Sequence, residues 1–341
     1  MARPERSQII GRRARTISAL FGLLVAMAIM TPIALPAAVA TDLFRWILRR
    51  KPWMSVRLIA FAYIYLFAEV GGVIALGLIW IFTLGGLIHR PFMDATYAVQ
   101  RNWASALLKG AQVIFSLRLE VEGEELVAPG PIIVLARHAS IVDNLLPAEL
   151  VTARHGIRLR YILKQELLAD PALDIGGNRL PNYFVDRNSA DSRQELGNIE
   201  VLAANLGRAE GVLIFPEGTR HTPARRDRAL AKLRASGSPF AELAAGLRHL
   251  LPPKVGGISA LIEAAPGADV VLLGHRGLEG FARIADLWRG GLVGRVIHAK
   301  FWRIPSADVP TDRDARARWL FDQWSSIDAW ISDGLESDST R

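Results

Sequence analysis

His138 and Asp143 stand five positions apart, just after the apolar run Ile132 to Ala136. A carboxylate on one nitrogen of an imidazole fixes the tautomer and raises the basicity of the other nitrogen. Such a pair is suited to take a proton from a hydroxyl nucleophile. Ser140 lies where it can cap a helix start, with Asp143 three residues on as the reciprocal capping partner. Taken alone, the pair is equally a surface histidine beside an acidic helix cap.

A second group shifts that balance. The apolar run Val212 to Phe215 leads into Pro216-Glu217-Gly218-Thr219-Arg220. Glycine permits a tight turn that presents backbone N–H groups. Arg220 is of the type that grips a phosphate or carboxylate through two parallel hydrogen bonds, and Glu217 is placed to orient that arginine or to meet a substrate hydroxyl. Arg187, after Phe184-Val185-Asp186, is a further phosphate ligand by type, or else a surface partner of Asp186 or Asp191. Arg225, Arg226, Arg228, Lys232 and Arg234 make a basic stretch. It reads as a solvated helix face or as a surface for headgroups or a nucleotide-bearing donor.

These residues must be held by a regular frame. Leu117 to Val121, Ile132 to Ala136, Arg158 to Leu163, Val212 to Phe215, Val270 to Leu273 and Arg295 to Trp302 read as strands. Leu145 to Ala153 and Ser192 to Glu210 read as helices. The stretch Pro91 to Ser116 reads as an amphipathic helix with Phe92, Ala95, Val99, Trp103, Leu107 and Ala111 near one face. Thr311 to Asp314 reads as a capping box opening a last helix, with Leu320, Phe321, Trp324, Ile327 and Ile331 on one side. The alternation predicts an α/β fold with a mainly parallel sheet flanked by helices.

The chain has 341 residues, is 51% hydrophobic and carries a formal net charge of +8. Its mean hydropathy of +0.22 is high for a purely water-soluble protein. The excess sits before residue 90, in Ile17 to Ala40 and Leu58 to Ile88, each long enough to cross a bilayer. Residues 1–90 are therefore expected to be a membrane anchor and residues 91–341 the catalytic domain. A cleaved leader ending near Ala40 is the alternative for the first run. All three flanks of the two runs are basic, which leaves two ordinary spans or two re-entrant segments bent at Pro32, Pro36 and Gly71-Gly72. Either form puts residue 90 onward on the side of the N-terminus. A basic chain prefers polyanions; the apolar runs favour lipid, and no nucleic acid is expected as a partner. With no cysteine, disulfides, thiol catalysis and zinc–thiolate sites are excluded.

At these residues the sequence resembles the glycerophospholipid acyltransferases of the 1-acyl-glycerol-3-phosphate acyltransferase type. Their hallmark is H-x4-D, then an arginine after an aromatic, then FPEG followed by Thr/Ser-Arg. His138 and Asp143, Phe184 and Arg187, and Phe215 to Arg220 supply these in order. The usual Pro-bearing apolar strand is represented by Val270 to Gly274 without the proline, after an insert from Ala224 to Glu263. The resemblance covers about residues 90 to 305. It implies that His138 takes the proton of the acceptor hydroxyl and Asp143 orients it. It implies also that Arg187, Glu217, Gly218, Thr219 and Arg220 hold the acceptor's phosphate. The donor would be acyl-CoA or acyl carrier protein, with no metal or other cofactor, and the acceptor a lysophospholipid, 1-acyl-glycerol-3-phosphate first. A transacylase and a non-catalytic binder of anionic lipid are the alternatives. The excess of arginine over lysine suggests a bacterial inner membrane, with the catalytic domain facing the cytoplasm.

Overall fold

The computed structural model describes residues 6–185, 192–281 and 284–339. In chain order the elements are helices α1 (Arg6–Arg49), α2 (Met54–Phe82) and α3 (His89–Phe115), then strands β1 (Arg118–Glu122), β2 (Ile132–Ala136) and β3 (Arg158–Lys164). Helix α4 (Pro171–Gly177), strand β4 (Tyr183–Val185), helix α5 (Ser192–Ala203) and strand β5 (Glu210–Ile214) follow. Helices α6 (Pro223–Ala235), α7 (Ala241–Gly246) and α8 (Val255–Ala264) lead to strand β6 (Asp269–Arg276) and the short helix α9 (Ile284–Leu287). Strand β7 (Val296–Ile304) and the long helix α10 (Arg313–Ser339) complete the order.

The chain divides into two compact units. The first comprises the described residues of Met1–Ser116, Leu163–Arg187 and Trp288–Val293. Helix α1 runs for 44 residues through Pro32 and Pro36, a length of about 66 Å at 1.5 Å per residue. Helix α2 runs for 29 residues and contains Gly71 and Gly72 without interruption. The bends that would make either segment re-entrant do not form. The most apolar stretch of α1 is only 6% buried, and that of α2 only 22%. Ile29, Ile33, Phe67 and Trp80 are among the large apolar side chains left exposed. Core helices of a soluble protein would hide them, so these two helices have the length and surface of membrane-associated segments.

Several buried polar groups inside this unit have clear partners. Asp42 near the end of α1 accepts from the backbone N–H and hydroxyl of Ser55 and the N–H of Val56, capping the start of α2. Thr31 and Tyr63 share a hydrogen bond of 2.6 Å between the two helices. Glu69, wholly buried on α2, accepts from the Trp103 indole of α3 at 2.6 Å and from the Ala172 N–H of α4 at 3.3 Å. Buried Asp174 takes both ends of the Arg12 guanidinium at 3.0 and 2.8 Å. A buried carboxylate costs far less when paired and hydrogen-bonded, and each of these ties two or three helices together. Helix α3 and residues 163–185 therefore cluster with the apolar helices, and this unit extends past residue 90. Its buried α3 stripe runs through Tyr97, Ala104, Leu108, Ala111 and Phe115. Leu107 and Ala111 are buried as read from the sequence, while Phe92, Ala95, Val99 and Trp103 are half-buried.

The second unit comprises the described residues of Leu117–Ile162, Asn188–Leu287 and Gly294–Arg341. Its strands run in the order β1-β7-β6-β2-β5-β3. Strand β2 lies parallel to β5 and to β6, β3 parallel to β5, and β1 parallel to β7. Strands β6 and β7 are antiparallel, so the sheet is mainly parallel, as the alternation predicts. Every residue of β2 is buried, the mark of a central strand covered on both faces. Leu320, Phe321, Trp324, Ile327 and Ile331 of α10 are all buried, as their spacing predicts. The cap of that helix differs: Asp312, not Thr311, accepts from the N–H groups of Asp314 and Ala315. Helix α5 is shorter than read, and β6 runs three residues further, through His275 and Arg276.

Candidate active site

Strands β2, β5 and β6 are parallel neighbours, with Leu135 beside Ile214 and Ala136 beside Leu273. Their carboxyl ends therefore open at one edge, where ligands of α/β sheets bind. The loop after β2 carries His138 and Asp143. The loop after β5 carries Glu217 to Arg220. The end of β6 carries His275. That parallel pairing brings together residues separated by up to 137 positions.

The imidazole Nδ1 of His138 lies 3.2 Å from Asp143 Oδ1. The other oxygen, Oδ2, accepts from the N–H groups of Ala139 and Ser140 at 2.6 and 2.7 Å. Asp143 thus caps the turn backwards and orients the histidine with the same carboxylate. Ser140 does less than its spacing suggested: its hydroxyl accepts only from the Val142 N–H. In place of a regular helix from Leu145 there is a 3₁₀ turn at Asp143–Leu145 and a π-helical turn at Ala148–Ala153. The carboxylate that pulls the turn onto itself leaves no room for an ordinary first turn. Burial would raise the pKa of Asp143, but the adjacent His138, its hydrogen bond and the neighbouring His275 outweigh it and hold the carboxyl well below its usual range. The Phe215 ring lies 4.5 Å from the imidazole, centroid to centroid, and closes one side of it. His138 is only 5% exposed, enough for one edge of the ring to meet a hydroxyl.

Glu217 is turned inward. Its Oε1 accepts from the His138 N–H at 2.7 Å and its Oε2 from the Leu251 N–H at 2.8 Å. Burial pushes its carboxyl up to about 8 against the pull of those two donors. It does not face outward to meet an anion; it fastens the turn after β5 to the loop after β2 and to the segment before α8. Gly218 has a φ of +67°, and a Cβ there would stand 2.8 Å from Lys254 Nζ. The lysine thus lies across the turn, and its own N–H donates to the Pro216 carbonyl at 2.9 Å. Thr219 and Arg220 are half-buried beyond the glycine. The next residue, His221, donates its N–H to the His138 carbonyl at 2.7 Å, which holds this segment against the candidate base. Arg187 lies outside the described residues.

The sequence reading missed a buried charge beneath the site. Arg137 is fully buried; it donates to the carbonyls of His275 and His249 and to Glu279, the last at 2.5 Å. Glu279 is held down to about 2: burial opposes that shift, and the Arg137 charge and hydrogen bond override it. His221 is lowered to about 4 by burial and by the same arginine. A charged residue inside a run ending Leu135-Ala136-Arg137 was a signal, since arginine is almost never wholly buried unless paired.

The site sets a buried His–Asp pair beside a glycine turn on the carboxyl edge of an α/β sheet. Residues 118–274 match the model of the family described as Acyltransferase. The chain is 24% identical over 266 residues to 1-acyl-sn-glycerol-3-phosphate acyltransferase epsilon of Mus musculus, covering 73% of this chain and 70% of that one. It is 21% identical over 263 residues to lysophosphatidylinositol acyltransferase 10 of Caenorhabditis elegans, covering 72% of this chain. The match spans 63% of the nematode protein's length. The crystal structure of the 1-acyl-sn-glycerophosphate acyltransferase PlsC from Thermotoga maritima overlaps 80% of this chain and 98% of its own, at 15% identity and a TM-score of 0.42. That overlap is too loose to add to the fold described above.

Proposed function

We propose that the protein transfers an acyl group from acyl-CoA or acyl carrier protein to the free hydroxyl of a lysophospholipid. The acceptor we favour is 1-acyl-glycerol-3-phosphate, with phosphatidic acid as product. The observation that carries this reading is the buried Asp143 carboxylate on Nδ1 of His138, with the second ring nitrogen left to act. In this scheme His138 Nε2 takes the hydroxyl proton as the oxygen attacks the thioester carbonyl. The C–S bond then breaks, and the thiolate leaves and receives the proton. Asp143 holds the tautomer and supports the imidazolium between the two events. Gly218, Thr219, Arg220 and Arg187 hold the acceptor's phosphate, with Glu217 fastening the turn that presents them. No metal or other cofactor has a step in this scheme.

The membrane is the bacterial inner membrane in this reading, with the catalytic domain on the cytoplasmic side. The excess of arginine over lysine supports the first part, and the basic flanks of α1 and α2 support the second. Purified protein assayed with a panel of lysolipids and both donor classes tests the function. Acylation of 1-acyl-glycerol-3-phosphate, lost in His138→Ala, is the expected result. Acyl exchange between intact phospholipids without a thioester would assign a transacylase instead. Binding of anionic lipid with no turnover on any acceptor would leave a lipid-binding protein.

A further inference from the structure

Asp143 meets a second imidazole. His275, at the carboxyl end of β6 and 1% exposed, places its Nε2 3.5 Å from Asp143 Oδ2. That separation is longer than the roughly 2.9 Å of a well-formed N–H···O bond. Hydrogen bonds of catalytic groups are often long before substrate is bound. Neither ring nitrogen of His275 has a full hydrogen bond of its own. A buried polar atom without a partner is uncommon and asks for a reason. Leucine or phenylalanine would fill the same space on a strand that is otherwise apolar from Val270 to Leu273.

Three features show that the ring is aimed rather than merely enclosed. The His275 carbonyl is held by Arg137, the residue directly before His138, so the backbone at both histidines is tied to one guanidinium. The register sets Ala136 of β2 beside Leu273 of β6, which brings the two strand ends, and the histidines beyond them, to the same edge. Asp143 Oδ2 already accepts from two backbone N–H groups, so a third donor there acts on orientation and charge, not on capping.

Resting on the reading of His138 as the base, we propose that His275 is a positioning residue: its Nε2–H holds Asp143 through Oδ2 while Oδ1 holds His138. In this arrangement the donated proton is the one on Nε2, and Nδ1 is the nitrogen that goes without a partner. The result is a His–Asp–His relay in which only the first imidazole touches substrate. The groups that face Asp143 are His138 and His275, with the Ala139 and Ser140 N–H groups and the nearby Glu217 carboxyl. Those that face His275 are Asp143 and Glu279, with Arg137 on its carbonyl. His275 withdraws charge from Asp143. Without it, Asp143 acts more strongly on His138, and the acid limb of the rate profile moves to higher pH.

The test compares His275→Gln, His275→Asn and His275→Phe in the full-length protein, assayed with 1-acyl-glycerol-3-phosphate and acyl-CoA. Glutamine reaches the place of Nε2 with an N–H; asparagine is too short and phenylalanine has no donor. We expect kcat to fall roughly 10–100-fold in the Asn and Phe variants, the range of one hydrogen bond to a charged group. KM should hold, the acid limb should move upward, and Gln should restore most of kcat. Equal losses in all three with an unmoved acid limb would mean packing alone and overturn the proposal, as would three variants like wild type. Should the variants fail to fold, the tautomer of His275 in the wild-type protein, read from nitrogen-15 shifts of labelled histidines, decides: a proton on Nδ1 overturns it. His138→Ala is run in parallel. If it retains turnover, the proposed function's mechanism falls and this inference with it; if it is inactive while the His275 variants match wild type, only this inference falls.

Discussion

Asp143→Asn separates the two tasks that one carboxylate performs. Asparagine's carbonyl oxygen can replace Oδ2 and accept from the N–H groups of Ala139 and Ser140, so the turn keeps both bonds. Its amide NH₂ then occupies the place of Oδ1, 3.2 Å from His138 Nδ1. A donor there forces Nδ1 to accept, which puts the ring proton on Nε2, the atom that must take the substrate's. The negative charge that supports the imidazolium is lost as well. General-base assistance is worth about 10²–10⁴-fold, and most of it should go, with KM for the acceptor little changed. Both caps survive, but the stability linked to the buried carboxylate's charge is lost, so the thermal midpoint at neutral pH should fall. Asp143 is held below its usual range when folded, so its contribution to stability is present above the unfolded value of 3.8 and is lost as pH falls below it. The Asn variant should therefore lose less stability than wild type on acidification. Thiol release followed continuously, with thermal unfolding at pH 7 and pH 3, checks both halves. Turnover within about tenfold of wild type would show that Asp143 only caps, and the base assignment would have to be abandoned.

Other perturbations test the frame. Arg220→Ala should raise KM for a phosphorylated acceptor much more than KM for the donor, on the scale of about 2–5 kcal/mol for a buried charge left unpaired; steady-state kinetics in both substrates reads it. Glu217→Gln sets an amide NH₂ against the N–H of His138 or Leu251, so calorimetry should show a loss of about 1–3 kcal/mol. The folded carboxyl sits near 8 against 4.5 unfolded, so its pH-linked stability is full below 4.5 and lost as pH rises through 8, a slope the Gln variant should lack. Single cysteines at Arg12, Arg50 and Arg101 should report two crossings: Arg50 labelled from outside, the other two only from inside. Labelling of Arg101 from outside would reverse the assigned orientation.

The strands were legible because β2, β5 and β6 are short apolar runs bounded by turn residues, and the last helix because its buried side chains recur at helical spacing. His138 and Asp143 were legible because their relation is local. What lay hidden depends on pairing at long range. Nothing near Glu217 says that its oxygens will be taken by residues 138 and 251. Nothing near Lys254 or His275 says that one will lie across Gly218 and the other beside Asp143. The irregular turn after Ser140 was missed for a different reason: the spacing of a capping box is also the spacing of a carboxylate that folds back on its own loop.

Glu217 has a consequence for anyone recombining this protein with others. Its second oxygen is fastened to Leu251, and Lys254 overlies Gly218, so the far end of the Ala224–Glu263 insert is part of the floor of the site. The insert is not a removable ornament on a shared catalytic unit. A graft that exchanges it as a cassette must keep residues 248–254 with the recipient's own strand ends. Transplants cut at Glu263 would carry a mismatched floor into an otherwise intact pair of catalytic residues, and lose activity with nothing near His138 altered.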